Sequence, residues 1–211
     1  MGFLSKILGG KATQEKPAKS KVVKVGDWEV HIEPNGAPTQ FYKKGREWLH
    51  SDRRWRSPSG SYFLHTGHDG NADECIALTT QTEGLKLKKT DEGIEDALVL
   101  DNGVAYAISS DCVFFQITRD KASQRQLCEE RLDAYILTPQ ICAVAFEEDT
   151  EVVTVRAVDL TTGKAWKKSI KYTWPETGDN VDISVVATGS GISVTTPDGS
   201  SHNFTTAGSP L

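Results

Sequence analysis

SPSGSYFLHTGHDG, residues 57–70, is a turn that feeds a strand. Ser57-Pro58-Ser59-Gly60 has turn chemistry, since Pro presets φ and Gly accepts positive φ. SYFLHT is short and mostly apolar, as a strand covered on both faces requires. ECIALTT (74–80) and GLKLKKT (84–90) predict two more strands. Then the pattern begins again. DALVLDNGVAYAISSD (96–111) has a strand, a turn at Asp101-Asn102-Gly103 and a second apolar strand, and CVFFQITRD and SQRQLCEE complete the unit. DAYILTPQICAVAFEEDT with EVVTVRAVDLTTGKAWKKSIKY (133–172) forms a third. DISVVATGSGISVTTPDGSSHNFTT (182–206) forms a last, three-stranded one.

The second strands of these units align at Phe63, Tyr106, Val144 and Val194, which are 43, 38 and 50 residues apart. A repeat of about 40–45 residues is the length of a four-stranded propeller blade. One such sheet has two apolar faces, and stacking buries both. Upstream, WEVHI (28–32) alternates with period two, Asn35-Gly36 marks a turn, and QFYKKG predicts another short strand. Residues 9–24 show no sustained period. The chain thus divides into a flexible basic leader, 1–24, and a single all-β domain, 25–211. DKASQRQLCEERLDAYIL (120–137) is the one stretch with a helical alternative, placing Leu127 and Leu132 on one side.

These units resemble the blades of WD-repeat and quinoprotein-like β-propellers. SPSGSYFLHTGHDG resembles a blade start, TTPDGSSHNF repeats its turn, and VRAVDLTTGKAWKK (155–168) resembles the hairpin joining third and fourth strands. The resemblance covers residues 53–211. It implies a small propeller-like array of four or five four-stranded antiparallel blades, with strands from residues 28–43 closing the ring on the last one. It also implies that Asp159, Thr161 and Thr162 hold the hairpin turn, that Gly163 takes positive φ, and that Trp166 packs on the neighbouring blade. The alternative architecture is a two-sheet β-sandwich.

Charge is uneven. Residues 1–57 hold 12 Lys or Arg against 6 Asp or Glu, and residues 58–211 hold 12 against 23. No run approaches the ~20 apolar residues of a membrane-spanning helix. The start, MGFLSKILGGK, lacks an export signal's apolar region and cleavage site. Lys6 stands where myristoylation needs Ser or Thr. Cys75, Cys112, Cys128 and Cys142 form no C-x-x-C pair, which predicts reduced structural thiols and a cytoplasmic protein.

HTGHDGNADEC (65–75) gathers His65, His68 and Asp69 as metal candidates, but a polar turn accounts for the same residues. An EF-hand is excluded, because Glu74 and Thr80 stand where that loop needs Gly and Glu. No P-loop, dinucleotide fingerprint or nucleophile elbow is present. The chain is therefore expected not to be an enzyme and to need no cofactor. FYKKGREWLHSDRRWR (41–56) interleaves Lys43, Lys44, Arg46, Arg53, Arg54 and Arg56 with Phe41, Tyr42, Trp48 and Trp55. Such a segment suits a protein hot spot or a nucleic-acid surface, or packs as core with stacked cations.

The expected function is a non-catalytic protein-binding module that offers an acidic loop face to a basic protein, in an inhibitor, immunity-type or scaffold role. The expected loops run over Asp69–Glu74, Asp91–Asp96, Glu147–Glu151 and Glu176–Asp182. The expected contact residues are Asp69, Asp73, Glu74, Trp48, Arg53, Arg54 and Trp55. Nucleic-acid binding through residues 41–56 is one alternative. A metal-dependent hydrolase using the His65–Asp69 region is the other.

Overall fold

The computed structural model describes residues 19–129, 132–174, 176, 178 and 181–211. A seven-stranded meander comes first: β1 (Lys21–Val25), β2 (Trp28–Ile32), β3 (Pro38–Lys43), β4 (Arg46–Arg56), β5 (Phe63–His68), β6 (Glu74–Thr79) and β7 (Gly84–Lys89). The second sheet holds β8 (Ile94–Val99), β9 (Ala105–Ser109), β10 (Val113–Ile117) and β11 (Ala122–Gln126). The third holds β12 (Ala134–Leu137), β13 (Ile141–Asp149), β14 (Val152–Asp159) and β15 (Ala165–Lys171). The fourth has three strands, β16 (Ser184–Ala187), β17 (Gly191–Thr195) and β18 (Ser201–Thr205). Within each sheet, consecutive strands pair antiparallel. The chain is an all-β, propeller-like array whose blades are β4–β7, β8–β11, β12–β15 and β16–β18. Among the described residues β11 and β12 replace the helical alternative for residues 120–137. Residues 1–18 of the expected leader lie outside the described residues, and β1 starts at Lys21.

Three cores stack in series, which a single sandwich would not produce. Leu64, Ile76 and Leu78 meet Ala105, Ala107 and Phe115 between the first and second sheets. Tyr106, Ile108 and Phe114 meet Cys142, Val144 and Phe146 between the second and third. Ala143, Ala145 and Val155 meet Ile192, Val194 and Phe204 between the third and fourth. Alternate residues of β9 and of β13 thus serve opposite cores, which is why both strands are apolar throughout. The first strands of the blades lie next to one another in sequence, β4 on β8, β8 on β12 and β12 on β16.

The expected ring closure by residues 28–43 is corrected. β2 and β3 extend the first sheet at β4 and do not pair with β18. The edge of β18 is taken by the chain's own tail, where Phe204 bridges Pro210 and Leu211 N–H donates to the Asn203 carbonyl at 3.0 Å. The physical reason lies in β4. Its register slips between Ser51 and Arg53, a bulge that bends the strand. β2 and β3 then fold back over the first sheet's outer face. Val30, Phe41 and Leu49 bury Cys75 and Ala77 there.

The hairpin implied at residues 159–164 is present. Asp159 Oδ1 accepts Thr161 N–H at 2.8 Å and Thr162 N–H at 3.1 Å, and Gly163 has φ of 71°. These bonds hold the Asp159 carboxyl below its ordinary range, with the Thr161 hydroxyl the largest cause. Trp166 donates its indole N–H to the Thr206 carbonyl at 2.7 Å and packs on Phe204, so it reaches the next sheet.

The expectation of four reduced thiols is also corrected. Cys112 and Cys128 form a disulfide, because the β10–β11 hairpin brings their Cα atoms to 5.4 Å. Cys75 and Cys142 are free and buried, and burial pushes both thiols up to about 12, so they are inert. The outer strands β7 and β15 carry lysines at Lys86, Lys88, Lys89 and at Lys167, Lys168, Lys171.

Candidate functional site: an acidic end of the array

Strands alternate in direction, so connections alternate between the two ends of the array. Those after β5, β7, β9, β11, β13 and β15 share one end. In turn they carry Asp69 and Asp73, Glu92, Asp111, Asp133, Glu151 and Asp182. The described residues of the four loops expected to face a partner fall at or beside this end. The convergence follows from topology and cannot be seen in any one loop.

A hollow of about 780 Å³ lies here, with Glu95, Asp111, Glu129, Asp133 and Tyr135 in its lining. A groove of about 420 Å³ between the third and fourth sheets shares Asp133 and adds Glu147 and Asp182. A third hollow, about 290 Å³, lies between the first and second sheets and includes Asp52, Glu74 and Glu92. Among the described residues none of the three linings contains Lys or Arg. Burial first, then the neighbouring charges of Asp111 and Asp91, hold the Glu92 carboxyl above its ordinary range. Carboxylates crowded in linings with no described Lys or Arg make these hollows attractive to positive charge.

The residues singled out from the sequence are placed as follows. Asp69 accepts N–H groups of Asn71 at 2.9 Å and Asp73 at 3.1 Å, which lowers its carboxyl. Asp69 and Asp73 both pair with Lys89. Glu74 lines the third hollow. Trp48 stands edge-on to Trp28 at 5.1 Å and lies over Gly84, where any Cβ would come within 2.2 Å of the ring. Trp48 and Asp69 share a depression of about 520 Å³. Arg53 stacks on Trp55 at 4.5 Å and donates to the carbonyls of Ile94 and Glu95, both at 3.0 Å. Arg54 donates to Glu33 at 2.7 Å. Two successive arginines thus strap the first sheet to the second sheet on one side and to the folded-back strands on the other.

The metal candidates do not converge. His65 and His68 are three residues apart on one strand, so they face opposite sides. His65 is fully buried, with Nδ1 2.8 Å from Ser51 Oγ and Nε2 2.9 Å from Thr79 Oγ1. Burial, with a smaller push from Arg54, lowers it to about 3. The Ser51–His65 pair lacks an orienting carboxylate, and so weak a base cannot activate a hydroxyl near neutral pH. His68 instead stacks on His50 at 5.4 Å and lies 3.4 Å from Asp52. Among the described residues no group of three or more His, Cys, Asp or Glu is placed to hold a metal ion. No helix among them is long and apolar enough to cross a membrane.

No protein-family model matches the chain, and no curated protein matches its sequence. Solved structures are similar in fold at low identity. The computationally designed Ika8 protein is 10% identical over 88% of this chain and 57% of its own, with a TM-score of 0.48. Kluyveromyces lactis Hsv2 is 10% identical over 92% of this chain and 60% of its own, with a TM-score of 0.48. The WD40 β-propeller domain of Doa1 is 17% identical over 84% of this chain and 60% of its own, with a TM-score of 0.44. The chain therefore spans less than two thirds of the length of each of these structures.

Proposed function

We propose that the protein is a non-catalytic binding module whose acidic end receives a basic protein. One observation carries this reading. Glu95, Asp111, Glu129 and Asp133 line a single hollow of about 780 Å³ that holds no described Lys or Arg. Two connections, after β9 and after β11, and the start of β8 supply them, so the scaffold sets their spacing. A fixed field of one sign steers an oppositely charged partner and disfavours nucleic acid. The Cys112–Cys128 disulfide suits an oxidising compartment better than the cytoplasm expected from the sequence.

The test is titration of the whole chain with a Lys/Arg-rich peptide across a range of salt. Binding is expected to weaken steeply with salt, and the variant Glu95→Gln/Asp111→Asn/Asp133→Asn is expected to lose about tenfold or more in affinity. Equal affinity of the variant and the unaltered chain would refute the reading.

A further inference from the structure

The groove between the third and fourth sheets sets exposed apolar side chains beside its carboxylates. Trp174 is 38% exposed and Val181 45%, beside Ile183 and Pro197. Large side chains left facing water beside carboxylates give a concave surface that suits a partner's side chain. Three carboxylates rim this groove. Asp133 Oδ2 accepts the Glu147 N–H at 3.0 Å, and the Tyr172 hydroxyl donates to Glu147 Oε1. Tyr172 in turn stands edge-on to Trp174 at 5.4 Å, so the ring and two of the carboxylates are held in one arrangement. Asp182, on the opposite lip, makes no ion pair with any described residue.

From this groove we infer that, within the basic partner proposed above and resting on that reading, the anchoring contact is an arginine side chain laid over Trp174 between Asp133 and Asp182. A guanidinium matches each surface. Its flat face stacks on an indole, its fork of N–H donors pairs with carboxylates, and its aliphatic stem lies along Val181 and Ile183. Lysine has the same charge but neither the plane nor the fork. Asp133 lines both this groove and the hollow of about 780 Å³, so a segment anchored here continues into the second acidic surface.

Two Gly/Ser peptides that differ only in carrying arginine or lysine, titrated calorimetrically into the whole chain at low salt, test the inference. The arginine peptide is expected to bind severalfold more tightly. Trp174→Ala is expected to weaken it about tenfold and erase the preference, Trp174→Phe to keep most of it, and Asp182→Asn to weaken both peptides. Both Trp174 and Asp182 are at the surface, so the variants fold. If Trp174→Ala and Asp182→Asn bind the arginine peptide unchanged while Glu95→Gln/Asp111→Asn weakens it, the groove is refuted and the acidic end stands. If neither peptide binds the unaltered chain, both ideas fall.

Discussion

The first and the last sheet each have one face with no further blade against it, and they treat that face differently. In the first sheet the face is apolar. Cys75 and Ala77 lie on it with the buried His65, and Val30 and Phe41 from the folded-back strands, with Leu49 of β4, cover them. In the last sheet the free face carries Ser184, Val186, Ser193, Thr195 and Asn203, with Val186 52% exposed. A stack of repeats needs both ends finished, because each inner repeat relies on its neighbours for burial. Here one end is finished by adding chain and the other by changing side chains. The difference shows that β2 and β3 take part in the fold's energetics at one end only.

The largest effect that would break this comparison is at Phe41. It is fully buried, so Phe41→Ala is expected to cost about 3–5 kcal/mol in urea unfolding. A loss under about 1 kcal/mol would show that the folded-back strands are only loosely attached.

Next is a pH dependence confined to the covered end. His65 titrates near 6.5 when unfolded and is lowered to about 3 in the fold. The unfolded chain therefore binds the extra proton first. The contribution of His65 is complete above about pH 6.5 and is lost as pH falls towards 3. From pH 7.5 to 4.5 the loss amounts to about 2–3 kcal/mol. Urea midpoints at the two pH values should separate less in His65→Gln than in the unaltered chain, and an equal separation would sink the assignment. The smallest effect belongs to the other end, where Val186→Thr on the polar face should change stability by less than about 0.5 kcal/mol. A larger loss would mean that this face is covered.

Much of the array is legible in the sequence. Phe63, Tyr106, Val144 and Val194 do fall in the second strands β5, β9, β13 and β17, because strands buried on both faces are apolar without interruption. The Asp159–Gly163 hairpin is legible for a local reason, since its bonds span four residues. β4 is not. Its bulge breaks the period of two, so REWLHSDRRWR reads equally as a basic and aromatic surface or as core with stacked cations, and in the fold Arg53, Arg54 and Trp55 tie sheets together. The disulfide was hidden because buried cysteines look alike in sequence whether paired or free. Of the acidic end, Glu95, Glu147 and Asp182 lie in stretches that composition alone picks out. Asp111, Glu129 and Asp133 do not stand out, and Trp174 looks like any core tryptophan. Only the alternation of connections brings them together.

The lysines of β7 and β15 have a consequence of another kind. An array of meanders leaves the outermost strand of each sheet with unpaired backbone groups, an open invitation to a strand from a second molecule. At β18 the chain's own last residues occupy that edge. At β7 and β15 a row of positive charge guards it instead. Steric cover works in any buffer, whereas charge is screened by salt. Solubility at high ionic strength, and resistance to fibrillar association there, then depends in part on two short lysine-bearing edges and not only on the acidic surface that dominates the net charge.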